Sequence, residues 1–153
     1  MTATLDASNT GLVAWNKALG AALALPGARV NRAKYLRSAL EPHLPKKDVE
    51  AAIESTPASA GVSPALLKRV SAAAIKWHRA GVTAASFATG LPGGWWLVAA
   101  VPADLAQFFW HTIVVSQKLA YLHGWPELLG EDDEVDDETK LVLTLFVGVM
   151  LGA

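Results

Sequence analysis

Apolar residues recur along this chain every three to four positions, and no run of β-branched residues alternates with polar ones. Such a pattern buries its apolar surface as helices and not as strands. Proline and glycine cut the pattern into segments. Trp15, Leu19 and Leu23 stand at four-residue spacing behind a cap expected at Asn9 or Thr10, and Pro26-Gly27 ends that helix. A second, basic helix is expected from Ala28 to Glu41, with Val30, Ala33, Leu36 and Leu40 as its apolar stripe and Arg29, Arg32, Lys34 and Arg37 as its charges. Pro42 to Pro45 breaks it. A short helix over Lys46 to Glu54 begins at Pro45, and Ser55 to Val62 reads as a connector.

Ser63-Pro64 is a strong helix start, serine at the N-cap and proline in the first turn, and Gly90 is the last reasonable stop. At about 100° per residue, Leu66, Leu67, Val70, Ala73, Ala74 and Trp77 share one face and Lys68, Arg69, Lys76 and Arg79 the opposite one. The first face is therefore expected to be buried. Another long helix is expected to start at Pro102 and to run through Asp104, Phe109, Ile113 and Tyr121 to Gly124, with Gly124-Trp125-Pro126 as its stop. A final helix begins near Asp136, where first-turn acids suit the positive end of the helix dipole.

The expected architecture is thus all-α, a single-domain bundle of about six helices over residues 1–153. With 52% hydrophobic and 18% charged residues and a mean hydropathy of +0.30, the chain must bury a core and is not a disordered linker. It has no cysteine, which excludes disulfides, a thiolate nucleophile and Cys-based zinc or iron–sulfur sites. The last 13 residues, Leu141 to Ala153, include only Thr144 as a polar side chain. That apolar run is expected to continue in a longer chain, of which this is a fragment, or to be covered in a homo-oligomer through 141–153.

Charge is split along the chain. Seven of the 14 acids fall between Glu131 and Glu138, whereas residues 1–80 hold 11 basic and five acidic residues. Any anionic partner should meet the first half. Lys34, Arg37, Lys68, Arg69, Lys76 and Arg79 are the natural phosphate ligands, but the pI is near 6.4 and no helix-turn-helix spacing is present. An anionic membrane surface, or a membrane protein, is a better match than nucleic acid, and solvated helix faces are the plain alternative. The first 15 residues lack a basic start followed by an apolar stretch, so a cytoplasmic location is expected. Pro92, Gly93, Gly94 and Pro102 break Leu91 to Ala103, leaving it too short for a simple span.

No residue pattern specifies a reaction, so whether the chain is an enzyme stays open. Gly90-Leu91-Pro92-Gly93-Gly94-Trp95-Trp96 is the least ordinary segment. It reads either as a membrane-docking loop, since tryptophan favours the interface, or as a tight turn whose tryptophans fill a core. Asp104, Gln107, His111 and Lys118 fall within about 60° of arc on the 102–123 helix. Buried, this stripe lines a groove in which Asp104 and His111 are candidate acid/base residues; exposed, it is the wet side of the helix. Asp104 and His111 are two turns apart and need a bridging ligand to pair. His43, His78, His111 and His123 have no metal-ligand spacing, and residues 131–138 lack the glycine and ligand spacing of a calcium loop, so no metal and no cofactor are expected. The acidic run reads as a solvated loop or a contact for a basic partner. Neither a phosphate-binding loop nor a G-x-S-x-G elbow is present.

Three stretches carry a resemblance: Gly90-Leu91-Pro92-Gly93-Gly94, Val101-Pro102-Ala103-Asp104-Leu105, and Gln117-Lys118-Leu119-Ala120-Tyr121-Leu122-His123-Gly124-Trp125-Pro126. In these the chain resembles the N-terminal portion of the EcsC family, over about a quarter of its length. The resemblance implies a bacterial, mostly helical protein near the cytoplasmic membrane surface, sometimes encoded beside transport or secretion functions, and it brings no catalytic residues with it. Three readings follow. The chain is a non-enzymatic, membrane-peripheral module using Arg69, Lys76 and Arg79 with Trp95 and Trp96; or a small-molecule binder or enzyme using Asp104, Gln107, His111 and Lys118; or a protein-interaction or toxin/immunity-type domain.

Overall fold

The computed structural model describes residues 16–90, 96–130 and 135–151; of 84–90, 96–105 and 150–151 it describes the backbone. Six helical segments follow one another, and the described residues contain no strand. They are α1 (16–23), α2 (Arg32–Leu40), α3 (Lys46–Glu54), α4 (Pro64–Gly90), α5 (Trp96–Leu122) and α6 (Asp137–Leu151). The all-α expectation holds.

Local chemistry explains most of the helix ends. Ser63 Oγ accepts the Leu66 N–H at 3.2 Å and starts α4, and Asp136 Oδ1 accepts the Thr139 N–H at 2.6 Å and starts α6. Gly124, at φ 90°, closes α5: its N–H donates to the Tyr121 carbonyl and the Trp125 N–H to the Ala120 carbonyl, the paired bonds of a Schellman motif. Asn9 and Thr10, the expected caps of α1, lie outside the described residues.

Two starts differ from expectation. α2 begins at Arg32, not Ala28, because Asn31 caps it through the Lys34 N–H (2.9 Å) and because residues 28–30 are bonded elsewhere. The Gln117 side chain on α5 accepts the Val30 N–H at 3.0 Å and donates to the Ala28 carbonyl at 2.7 Å. A helix that began at Ala28 would claim the Ala28 carbonyl for the Arg32 N–H and take it from Gln117. α5 begins at Trp96, six residues before Pro102, so that proline lies within the helix rather than opening it. At that position the N–H that proline lacks would have bonded the Val98 carbonyl, so α5 runs past Pro102 with one backbone hydrogen bond missing.

α5 is the central element. Residues 111–117 are all buried, so this helix is enclosed on every side over two turns instead of presenting one wet face. One core joins Leu36 and Leu40 of α2, Val49 and Ala52 of α3, Leu67 and Val70 of α4, and Ala120 to Leu122 of α5. The other joins Leu19 and Ala22 of α1, Ile113 of α5, Leu129, and Leu143 and Val147 of α6. Each fully buried leucine contributes roughly 1.5–3 kcal/mol.

The contact face of α4 is rotated from the expected one. Leu67 and Val70 are buried, but Ala73 is exposed and Trp77 is 60% exposed, while His78 is 3% exposed. The buried line therefore runs Leu67, Val70, Ala74, His78, Gly81. Among the described residues, no helix is long and apolar enough to cross a membrane.

Candidate functional site

The buried line of α4 delivers His78 against α5. Its Nδ1 lies 3.0 Å from His111 Nδ1, and its Nε2 lies 3.1 Å from Lys118 Nζ. His111 and Lys118 are seven residues apart, so His78 bridges two turns of α5. Lys118 as an ammonium has only donors. His78 Nε2 must then accept, which places the single proton of neutral His78 on Nδ1, where it donates to His111 Nδ1. His111 in turn carries its proton on Nε2.

Both imidazoles are held neutral. Burial, the Lys118 ammonium and His111 lower His78 to about 4; burial and then Lys118 lower His111. Burial also lowers Lys118 itself. Room for the His111 ring comes from Gly81, where a Cβ would stand 2.6 Å from His111 Cε1. Trp110 closes the far side, its ring centroid 4.7 Å from that of His111 and its Nε1–H donating to the Pro26 carbonyl at 3.1 Å.

Lys118 faces outward from this pair. Its Nζ lies 5.2 Å from the Trp77 ring centroid and 5.6 Å from that of Tyr35, and among the described residues no carboxylate pairs with it. It opens on a cleft of about 540 Å³ between α2, α4 and α5, walled by Tyr35, His43, Arg69, Trp77 and Lys118 over a floor of Val70, Ala73 and Ala74. Arg69 Nη2 lies 3.3 Å from His43 Nδ1. The Tyr35 hydroxyl is buried without a partner, and burial pushes it up to about 12, so it stays neutral. Among the described residues no acid lines this cleft.

The expected polar stripe divides. Gln107 is exposed, His111 is buried behind His78 and Trp77 and is not part of the cleft wall, and Lys118 is half-buried at its edge. The side chains of Asp104 and Trp96, and all of Trp95, lie outside the described residues. Among the described residues no group of three or more His, Asp or Glu side chains is placed to hold a metal ion. Chemically, the arrangement presents fixed cations against aromatic faces, which suits an anion.

Most of the cations in and just before α2 are committed to the fold, including Arg37, expected to be a phosphate ligand. Arg32 donates to the carbonyls of Ile53 (2.7 Å), Ser55 (2.9 Å) and Trp125 (2.9 Å), so it closes the end of α3 and holds the segment after α5. Arg37 pairs with Glu50 through two bonds of 3.1 and 3.0 Å, and Arg29 donates to the Gly130 carbonyl at 2.6 Å. By contrast Lys68, Arg69, Lys76 and Arg79 of α4 are all exposed.

His78, Tyr35 and the role of Trp77 were missed from sequence. For His78 a partial signal existed: it follows Val70 and Ala74 at four-residue steps and so stands at the edge of the apolar stripe, as Trp77 also does, and a histidine buried there needs a partner. No protein-family model, curated protein or solved structure matches this chain.

Proposed function

We propose that this chain is a non-enzymatic helical module that docks on an anionic membrane surface through the outward half of α4. The observation that carries this reading is that α4 has no acidic residue in its 27 positions, while Lys68, Arg69, Lys76 and Arg79 are all exposed. On the helix these cations lie between Ile75, 36% exposed, and Trp77, 60% exposed. Cations that reach lipid phosphates beside an amphipathic indole ring are the makings of an interfacial helix. The resemblance of residues 90–126 to the EcsC family supports the same reading, and with it a place at the cytoplasmic face of a bacterial membrane.

Each basic side chain near an anionic surface contributes about 1 kcal/mol. Replacing two, Lys76→Gln with Arg79→Gln, should therefore weaken binding to phosphatidylcholine vesicles containing phosphatidylglycerol by about 30-fold. Co-sedimentation at low salt measures this. High salt should release the protein, since the screening length falls to about 3 Å at 1 M, and Trp77→Ala should weaken what remains. A protein that stays in the supernatant with every vesicle at low salt would sink the docking reading.

A further inference from the structure

We infer that the cleft between α2, α4 and α5 binds a phosphate monoester, with the dianionic group between Lys118 and Arg69 and the organic part along Trp77. This goes beyond membrane docking and does not depend on it.

Three observations converge. First, Lys118 is held in place by neutral groups alone: an imidazole nitrogen at 3.1 Å and two aromatic faces, with no carboxylate among the described residues. Its position is fixed while its charge stays uncompensated, and a half-buried cation of that kind attracts an anion strongly. Second, Arg69 lines the same cleft beside His43, and no acid among the described residues does. Two cations with several N–H donors match a group that carries two charges and three terminal oxygens; a carboxylate or a phosphodiester brings one charge and leaves a cation unpaired. Third, the remaining wall and floor are apolar or aromatic, and a volume of about 540 Å³ lies in the range of small-ligand sites. The Trp77 ring, more than half exposed, gives a flat organic group a surface to lie on.

The His78–His111 pair supports this site from behind. His78 spends one nitrogen on Lys118 and the other on His111, so the ammonium is aimed by a chain of bonds that ends in the packed interface at Gly81. A ligand phosphate would meet a cation already held in place, which lowers the ordering cost of binding.

The same chemistry occurs in a soluble monoester and in a monoester lipid headgroup, and the test separates them. The intact chain is titrated calorimetrically with phenyl phosphate, benzoate and phenol at constant ionic strength. Phenyl phosphate should bind, benzoate about tenfold or more weakly, and phenol not measurably. Lys118→Met and Arg69→Gln should each weaken phenyl phosphate by about tenfold or more. Lys47→Gln, exposed on α3 and outside the cleft, should stay within about twofold and Lys118→Arg should retain most of the affinity. If Lys118→Met does not fold, as its melting curve would reveal, Arg69→Gln decides, because that side chain is exposed.

In the lipid arm, vesicles with phosphatidic acid, a monoester, are compared with phosphatidylglycerol, a diester, at matched surface charge. A preference for phosphatidic acid that Lys118→Met abolishes assigns the site to a lipid headgroup; phenyl phosphate binding without that preference assigns it to a soluble monoester. Absence of phenyl phosphate binding at millimolar concentration together with equal binding of both vesicle types would overturn the site and leave docking intact. Phenyl phosphate binding with no vesicle binding would do the reverse. Equal phenyl phosphate affinity in folded Lys118→Met and Arg69→Gln would also overturn the site.

Discussion

At Gly81 two residue-level effects oppose each other. Inside a helix, glycine to alanine ordinarily gains about 1 kcal/mol. Here the added methyl would stand 2.6 Å from the buried His111 ring, and forcing a side chain aside in a packed interior costs typically about 1–3 kcal/mol. The clash should win, so Gly81→Ala should lower stability by up to about 2 kcal/mol in urea unfolding, the reverse of the usual sign. His78 gives a second prediction. Its folded-state value, about 4, lies below the unfolded value near 6.5, so between these pH values the unfolded chain holds a proton that the native chain does not. Stability must fall as pH drops through that window, by at most about 1.4 kcal/mol per pH unit for this histidine, and must level off below it. His111, lowered in the same direction, adds to the fall. His78→Phe should flatten the dependence of urea midpoints between pH 6.5 and 4. An unchanged slope would mean that His78 is not the group titrating. That His78 rather than Trp77 turns inward was not legible from the apolar pattern, because a face some 100° wide on α4 admits either residue at its edge. The choice fell to His78 because α5 offers it two hydrogen-bond partners, whereas an indole buried at that point would displace them.

At the scale of the element, the helix ends were legible wherever the signal is local. Ser63 with Pro64, Pro45, Asp136 and Gly124 act through backbone groups within three or four residues, and all four mark ends in the structure. The start of α2 was not legible, since what holds residues 28–30 out of the helix is Gln117, nearly 90 positions away. The cations followed the same division. In α2 the arginines reach carbonyls and a carboxylate on neighbouring elements, while Lys68, Arg69, Lys76 and Arg79 of α4 stay exposed and form no ion pair among the described residues. α6 reads as apolar almost throughout, so its sequence alone does not rank its faces. Leu143 is fully buried and Leu145 is 58% exposed. Leu143→Ala should accordingly cost about 2–5 kcal/mol, and Leu145→Ala less than about 0.5 kcal/mol, as read from urea midpoints at equal m-value. Similar losses at both positions would mean that the exposed stripe of Leu141, Leu145 and Val149 is covered by something else, as an association through 141–153 requires.

At the scale of the whole molecule, the two cores are joined by α5, which contributes Ile113 to one and Ala120 to Leu122 to the other. Neither core can lose its packing without freeing a face of that helix. Composition and periodicity were enough to determine an all-helical chain, the places where most helices begin and end, and a surplus of positive charge in the first half. These depend on spacing and on groups close together in sequence, where each residue acts nearly alone. Which face each helix buries, which arginines are tied down, and the meeting of His78 with His111 and Lys118 beside the cleft were decided only by the tertiary structure. Those outcomes rest on pairing between positions 13 to about 100 apart. For buried polar groups the cost of lacking a partner sets the arrangement, and a linear pattern does not say who the partner is.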